Sequence, residues 1–365
     1  MGDSGDVLRG TLRTFNVLKG TLKTSSHVLK APLTSHTQRT PPAKRASPAG
    51  PCPPGLAHRT FRAGGPQRKI IGGFRLNIPD GALLGQCEKW TFIHYSGGMR
   101  TASRTAEHVA LFRALETRRG DRLFADDYAT RFLPARYRWL VRAATFAPVG
   151  KGIARIIDHR YPGGPRMSAI ARTRLIDDLL AEAQPEQVLL LGAGYDSRAH
   201  RIPGMPTTYE VDHPATQQAK RHRVESQAHI HYVPVDLNEE SLAHALADFP
   251  RKRTVVVWEG VTNYLTEQAV DATLRDLATI TAPGSTVIFT YVDRAALNDD
   301  TPWHKGVAKV GEPWTFGLHP AEVPGYLAER GLDLRGDLSA REAAARYHRD
   351  EPAADFYRIA WAVVR

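Results

Sequence analysis

The sequence predicts an α/β fold in which seven strands form a doubly wound, mostly parallel sheet. Strand and helix patterns alternate from residue 187 to the end of the chain, which is typical of such sheets. The first strand is predicted at 187–192 and contains the apolar run 188–191, as expected for a parallel strand that is buried on both faces. A glycine turn follows it at Gly192 and Gly194. Because ligands of these sheets bind at the carboxyl ends of the strands, we expect the functional site there.

Helices are predicted ahead of the sheet. Ser103 is placed to cap a helix that carries Arg113 on one face. Further short helices are predicted at 126–129 and 136–146, and the second is expected to end near Pro148. Together these segments predict a helical lid before the first strand.

The sheet itself is predicted from alternating patterns. After the Gly-Gly-Pro break at 163–165, Ser168 is expected to cap a helix that ends at Ala183. The later strands are predicted at 207–212, 230–235, 254–259, 285–291, 332–335 and 356–364. The helices between them are predicted near 198–202, 214–225, 239–248, 266–281 and 320–330. The last two strands are expected to pair as an antiparallel hairpin at the sheet edge.

Charge divides the chain into unlike parts. Residues 1–98 hold 14 Lys and Arg against 4 Asp and Glu, whereas the other 267 residues hold 35 against 34. The net charge of +11 therefore belongs almost entirely to the leading segment. We expect three regions: an extension at 1–98, a helical substrate or lid region at 99–166, and a ligand-binding α/β domain at 167–365.

The leading segment is basic, rich in glycine and proline, and contains a near repeat, 7–14 against 17–24. Four interpretations fit this composition. It is typical of a disordered extension, of a transit peptide and of a nucleic-acid-binding arm. Alternatively, translation starts at Met99 and the preceding codons are upstream DNA.

Composition also excludes several classes of protein. No apolar run approaches the length of a transmembrane helix. Cys52 and Cys87 both lie in the leading segment, so we expect no disulfide framework. The histidines show no metal-site spacing. We therefore expect a cytoplasmic protein without a metal and with neither nucleic acid nor membrane as a partner.

The glycine turn and a later carboxylate predict a nucleoside site. Asp212 ends the second strand about 20 residues after Gly192 and Gly194, where a carboxylate accepts hydrogen bonds from ribose hydroxyls. A dinucleotide fingerprint requires a third Gly or Ala beside the pyrophosphate, but this chain has Ser197. The spacing therefore favours a nucleoside without a pyrophosphate, such as S-adenosylmethionine.

Two further strand ends carry carboxylates. Asp236 is placed to accept from an adenine amine while Leu237 packs on the ring, or else to cap the next helix. Glu259 follows a strongly apolar strand, and a buried lone carboxylate costs several kcal/mol. We therefore expect Glu259 to face a cation, which is either the cofactor ammonium or Arg172.

Arginines are the expected partners of the cofactor's carboxylate. The fork of Arg172, on the helix before the first strand, suits bidentate pairing with a carboxylate; a solvent-facing side chain is the alternative. Arg113 is predicted to act in the same way from the first helix.

Catalytic side chains are needed only for some acceptors. A carboxylate acceptor requires no base, whereas a phenol or alcohol requires one within hydrogen-bond reach. Tyr264 is the candidate base, and the histidine candidates are His213, His304 and His319, each of which is otherwise an ordinary surface histidine. The acceptor pocket is predicted between residues 100–166 and the loop 292–319, with aromatic walls from Trp303, Trp314 and Phe316.

Over roughly residues 100–365, the chain resembles the leucine carboxyl methyltransferase-like family of S-adenosylmethionine-dependent O-methyltransferases, including many bacterial members. The matching blocks occur in order at 103–106 with Arg113, 171–177, 191–198, 210–214, 235–237, 259–265 and 311–317. The resemblance implies a Rossmann-like methyltransferase sheet and S-adenosyl-L-methionine as the cofactor. Family members commonly begin close to the position of Met99.

The resemblance also implies roles for individual residues. The family's cofactor site is lined by the residues that match Arg172, Gly192, Asp212, Asp236, Leu237 and Glu259, and Arg113 matches a basic residue near the cofactor carboxylate. We therefore expect O-methylation of a carboxylate or hydroxyl on a small molecule. The alternatives are an NAD-dependent oxidoreductase, disfavoured by Ser197, and a nucleic-acid-binding protein that acts through the basic leader.

Overall fold

A computed structural model describes residues 104–298 and 313–365. The predicted extension at 1–98, the predicted cap Ser103, and the loop residues Trp303 and His304 lie outside these ranges. Within the described residues, no helix is both long enough and apolar enough to cross a membrane.

Four helical elements between residues 104 and 160 surround a small hydrophobic core. The buried side chains at its centre include Phe132, Val141 and Ile153. In chain order the elements are α1 (Arg104–Thr117), a 3₁₀ helix (Tyr128–Phe132), α2 (Ala135–Ala143) and α3 (Ala147–Arg160).

Two prolines mark the starts of helices rather than their ends. The expectation that a helix stops near Pro148 is wrong, because α2 ends at Ala143 and Pro148 lies in the first turn of α3. Helix α4 (Pro165–Ala183) likewise begins with a proline. A proline in the first helical turn costs no hydrogen bond, because the first N–H groups of a helix have no partner within it.

The start of α4 corrects a second expectation. Ser168 does not cap this helix but lies one turn inside it, and the N-cap is Gly164. The Ser168 hydroxyl donates to the Gly164 carbonyl (2.8 Å) and accepts from the Ala354 N–H (2.8 Å). Ser168 therefore ties α4 to the segment that precedes the last strand.

The sheet has the seven strands that the sequence predicts. They are β1 (Gln187–Leu191), β2 (Thr207–Asp212), β3 (Ile230–Pro234), β4 (Thr254–Trp258), β5 (Thr286–Val292), β6 (Leu332–Ser339) and β7 (Tyr357–Val364). Their order is β3-β2-β1-β4-β5-β7-β6. Strand β7 is antiparallel to both of its neighbours, and the other pairs are parallel. The predicted antiparallel pair is confirmed, with β7 inside the sheet and β6 at its edge.

The connecting helices are shorter than predicted in places. They are α5 (Arg198–Arg201), α6 (Pro214–Arg221), α7 (Leu242–Ala245), α8 (Glu267–Ile280), α9 (Val323–Ala328) and α10 (Ala340–Arg346), with 3₁₀ turns at Thr262–Tyr264, Arg294–Asn298 and Pro320–Glu322. The helix predicted at 239–248 reduces to α7, because the N–H groups of Glu239 and Glu240 bond the Asp236 carbonyl in a separate turn. Helix α10, which was not predicted, is stabilised by a reciprocal capping box between Ser339 and Glu342.

The central strands are buried on both faces, as predicted. Leu189 and Leu191 face one hydrophobic core, whereas Val188 and Leu190 face the other. Helix α4 covers the second face through residues such as Leu175. This packing fixes the carboxyl ends of β1, β2 and β4 as a rigid platform.

A buried histidine is expected to make the stability of the fold depend on pH. His200 stacks on Tyr128 with ring centroids 5.4 Å apart, and within the described residues neither of its ring nitrogens has a hydrogen-bond partner. Burial, with the nearby charge of Lys220, lowers the pKa of His200 to about 4.

As pH falls from about 6.5 towards about 4, the unfolded chain binds a proton at His200 that the folded chain does not. Stability is therefore expected to fall in this window by up to about 3 kcal/mol through His200. Urea unfolding of the wild type and of His200→Gln at pH 7 and pH 5 measures this contribution. The variant should lose less stability than the wild type between these pH values, and equal losses would contradict the assignment.

Candidate cofactor site

The predicted site residues on the first strands are brought together at one edge of the sheet. The Ala193 N–H donates to the Val211 carbonyl (3.0 Å), and the Val235 N–H donates to the Asp212 carbonyl (2.9 Å). The ends of β1, β2 and β3 are thereby linked in order. Strand β4 lies on the other side of β1, so that Glu259 lies at the same edge.

Asp212 holds the glycine turn. One carboxylate oxygen accepts from the Gly194 N–H (2.6 Å) and the other accepts from the His213 N–H (2.7 Å). Burial raises the pKa of Asp212, and these two N–H groups oppose the rise. A carboxylate has about four acceptor positions, so each oxygen retains one for a ligand.

The two glycines of the turn have different surroundings. Both have positive φ, 58° at Gly192 and 43° at Gly194. A Cβ at Gly192 would lie 2.2 Å from a methyl carbon of Val261, so this position is closed by protein. A Cβ at Gly194 would approach no described atom more closely than 3.7 Å. Gly194 is therefore the less tightly enclosed of the two turn glycines.

Glu259 is shared by two arginines. One oxygen accepts from Arg172 Nε (2.7 Å) and the other from Arg198 Nη1 (2.7 Å). Burial alone would raise the pKa of Glu259, but the charges of Arg198 and Arg172 outweigh it and hold the pKa below its usual value. The expectation that Glu259 faces a cation is met by protein side chains.

Arg172 keeps part of its fork available. It is buried, with its guanidinium 5.0 Å from the centre of the Tyr357 ring. Within the described residues, its side chain hydrogen-bonds through Nε, to Glu259. Its Nη2 lies 3.6 Å from where a Cβ of Gly260 would be. The Nη2 end of the guanidinium therefore lies close to the backbone that follows β4.

Arg198 is the centre of the site, and sequence reasoning assigned it no role. It is 2% exposed and pairs with Asp177 (2.8 Å), Asp196 (2.5 Å) and Glu259. Asp177 in turn pairs with Arg201 (2.7 Å). The signal was present, because Asp177, Asp196 and Arg198 lie in the blocks that carry the family resemblance.

Arg113 lies beneath the glycine turn. Its Nε donates to Asp126 (2.8 Å) and its Nη2 donates to the Tyr195 carbonyl (2.5 Å). Asp126 is fully buried and also accepts from the Ser197 hydroxyl (2.6 Å). Burial would raise the pKa of Asp126, but Arg113 and Arg201 outweigh it and lower the pKa.

These contacts form one buried network of alternating charge. Its members are four arginines and four carboxylates: Arg113, Arg172, Arg198, Arg201, Asp126, Asp177, Asp196 and Glu259. Opposite charges are paired throughout the network, as buried ions require. The network joins the helical region, the glycine turn and the end of β4 into one structure.

Asp236 and Leu237 lie at the end of β3. The Asp236 carboxylate accepts from the Asn238 N–H (3.0 Å), and the side chain is half-buried. The true cap of α7 is Ser241, which accepts from the His244 N–H. Asp236 therefore forms a turn before the helix, and Leu237 packs at the margin of the first core.

The candidate bases are dispersed. Tyr264 ends the 3₁₀ helix after β4 and is half-buried. His213 Nδ1 accepts from the Ala215 N–H (3.2 Å) and caps α6, whereas His319 is exposed beside Asp293. His304 lies outside the described residues.

The described aromatic residues of the predicted acceptor wall are packed into the cores. Trp314 is 6% exposed and lies 5.9 Å from Phe356 between ring centroids. Phe316 is 3% exposed and packs on Tyr326. Among the described residues, no cluster of three or more His, Cys, Asp or Glu side chains could hold a metal.

Comparison with known proteins identifies the class. A protein from Streptomyces avermitilis that is named for S-adenosyl-L-methionine-dependent methyltransferase activity is 33% identical over 67% of this chain and 87% of its own length. A Frankia alni protein named in the same way is 36% identical over 70% of this chain and 92% of its own. A solved structure of a DUF574 family protein from S. avermitilis has a TM-score of 0.46 and 16% identity, and covers 73% of this chain and 98% of that one.

The fold, the glycine turn and these relatives define an S-adenosyl-L-methionine-dependent methyltransferase. The family model described as leucine carboxyl methyltransferase matches residues 106–278, and the chain belongs to that family. The comparisons support neither an oxidoreductase nor a nucleic-acid-binding protein.

Proposed function

We propose that the enzyme transfers a methyl group to an oxygen of a small molecule, and that this oxygen belongs to a carboxylate rather than a hydroxyl. The observation that carries the proposal is the state of the carboxylates at the strand ends. Asp196 and Glu259 are bonded by arginines, and Asp212 by main-chain N–H groups. Within the described residues, these carboxylates are committed to structure rather than held ready as bases.

An acceptor carboxylate needs no base. Its ordinary pKa lies near 4, so it is already anionic at neutral pH. A hydroxyl acceptor would need a base, and Tyr264 would fill that role from the loop after β4. The family is named for a carboxyl acceptor, which supports the same choice.

The pair Arg172–Glu259 fits the amino-acid tail of the cofactor. The tail carries an ammonium and a carboxylate on one carbon, and this pair offers a cation and an anion 2.7 Å apart. Arg172 has nitrogens left to donate, and each Glu259 oxygen retains an acceptor position. Arg172 would hold the tail carboxylate, and Glu259 would hold the ammonium.

The nucleoside part fits the platform beside Gly194. Asp212 would accept from the ribose hydroxyls with its remaining acceptor positions. Asp236 would accept from the adenine amine, and Leu237 would pack on the ring. Arg113 acts indirectly in this proposal, because it fixes the Tyr195 carbonyl of the turn.

When bound, S-adenosyl-L-methionine would supply a methyl group activated by a sulfonium, with a neutral thioether as its leaving group. The side chains at the strand ends orient the reactants, which is the main contribution available to the protein in such a transfer. The ion network keeps these side chains in place without rearrangement.

The linkage formed is chemically diagnostic. Purified enzyme is incubated with methyl-labelled S-adenosyl-L-methionine and a panel of small carboxylic acids, phenols and alcohols. A methyl ester should form with an acid, and mild alkali should release its label as volatile methanol. Label that survives alkali would indicate an ether or an amine product and would overturn the proposal.

A further inference from the structure

The helical region carries an unusual set of exposed aromatic side chains. Trp139, Phe146 and Tyr161 are 54%, 61% and 41% exposed, and they are the large hydrophobic residues most exposed to solvent in the described part of the chain. All three lie within 23 residues of sequence, on or beside α2 and α3. Clustered exposed apolar side chains mark interaction surfaces.

Four of the exposed residues of α2 share one face, and the exposed Arg136 lies off it. Ala135, Arg138, Trp139 and Arg142 are exposed and occur at i, i+3, i+4 and i+7, the spacing of a single helical face. Val141, on another side of the helix, is buried in the helical region's own core. Arg138, Trp139 and Arg142 therefore point away from the protein.

Helix α3 repeats the arrangement. Lys151, Arg155 and His159 are exposed at intervals of four residues, whereas Ile153 is buried in the same core. Phe146 immediately precedes this helix. We give the name cationic face to six of the exposed residues on these two helices and the turn between them; they are Arg138, Trp139, Arg142, Phe146, Lys151 and Arg155.

The cationic face offers donors and rings but few acceptors. Between residues 128 and 164 the sequence contains no Glu, Asn or Gln, and Asp158 is its one acidic residue. Asp158 is already bound by both arms of Arg166, at 3.0 and 2.7 Å. The face therefore suits a partner that has anionic oxygens at its surface and an apolar region behind them. Such a partner does not need hydrogen-bond acceptors on the protein.

We propose that the cationic face binds the surface of an anionic lipid membrane. Tryptophan and phenylalanine beside arginine and lysine are the side chains that settle at the headgroup boundary of a bilayer. The surface of an anionic bilayer presents phosphates to the basic side chains and an apolar interior to the aromatic rings. Binding to such a surface does not require a complementary shape. A second copy of the chain would oppose arginine to arginine, and a specific protein partner needs donors as well as acceptors.

This proposal goes beyond the methyl transfer and does not depend on the acceptor. The proposal concerns attachment of the protein to a membrane surface. The expectation of no membrane partner was based on the lack of membrane-spanning segments and on the overall charge. The basic leader, residues 1–98, is a second possible source of attraction to anionic vesicles. The test must therefore separate it from the cationic face.

The test compares full-length variants for co-sedimentation with vesicles of phosphatidylcholine, with and without phosphatidylglycerol. The triple variant Arg138→Gln, Trp139→Ala, Arg142→Gln alters the cationic face. A matched control, Arg335→Gln with Arg346→Gln, removes two exposed charges in the C-terminal part of the chain, outside the cationic face. Binding to anionic vesicles should fall about tenfold or more in the triple variant and about twofold or less in the control.

Hydrogen exchange supplies a local readout. Anionic vesicles should slow exchange within 135–160 in the wild type and leave these residues unchanged in the triple variant. S-adenosylhomocysteine binding should be equal in both proteins, which shows that the variant is folded and keeps this test independent of the proposed reaction. Equal vesicle binding by the triple variant and the control would overturn the proposal. The proposal would also be overturned if the triple variant lost binding to a single-stranded oligonucleotide but kept binding to vesicles.

Discussion

Replacing Arg198 by alanine is expected to lower the free energy of unfolding by about 3–5 kcal/mol, because a buried ion pair that loses one partner leaves the other charge uncompensated. Arg198 is 2% exposed and contacts three carboxylates, those of Asp177, Asp196 and Glu259. Urea unfolding at pH 7, followed by circular dichroism, measures the loss.

Two companion variants sharpen this result. Arg198→Lys retains the charge but not the fork, so its loss should be intermediate. Arg346→Ala removes an exposed arginine and should change stability by about 0.5 kcal/mol or less. If Arg198→Ala were as stable as Arg346→Ala, the network would not be the structural centre of the site.

The same network predicts a pH dependence. The pKa of Glu259 is held below its usual value by Arg198 and Arg172. A carboxyl group with a lowered folded-state pKa stabilises the protein above its unfolded-state pKa, and this contribution is lost as pH falls towards the folded-state value. The difference in stability between wild type and Arg198→Ala should therefore be largest near neutral pH and shrink in acid.

Replacing Asp212 by alanine is expected to raise the Kd for S-adenosylhomocysteine at least tenfold, or about 1.4 kcal/mol. The change removes the proposed acceptor for the ribose hydroxyls and releases the Gly194 N–H (2.6 Å) that shapes the turn. Titration calorimetry measures the affinity, and the unfolding transition of the variant should remain cooperative.

A matched carboxylate and a conservative replacement serve as controls for this variant. Asp248 is exposed on the surface, and Asp248→Ala should leave the affinity unchanged. Asp212→Asn keeps one acceptor oxygen and should have an intermediate effect. Unchanged affinity in Asp212→Ala would refute the ribose assignment.

The seven strands and their positions along the chain could be predicted because the chain has strong, redundant local signals. The apolar run 188–191 and the alternation that follows it leave few other folds open. Helix boundaries were harder to predict. Pro148 occurs equally well in the first turn of a helix and just after its end, and tertiary contacts decide between the two. Helix α10 is only seven residues long and depends on a capping box.

The site was predictable where topology alone determines proximity. Asp212, Asp236 and Glu259 lie at the carboxyl ends of the parallel strands β2, β3 and β4, and such ends meet at one edge of the sheet. The pairing of side chains could not be predicted in the same way. Arg198 and Glu259 are 61 positions apart, and Arg113 reaches the Tyr195 carbonyl across 82. These contacts depend on the course of the loops, for which a single sequence offers no geometric signal.

The central claim is that the glycine turn and the strand ends around it form an S-adenosyl-L-methionine site. Titration calorimetry of the full-length protein with S-adenosylhomocysteine and, separately, with NADH tests it most directly. We predict saturable one-to-one binding of S-adenosylhomocysteine and no heat of binding with NADH. Binding of NADH without binding of S-adenosylhomocysteine would contradict the account.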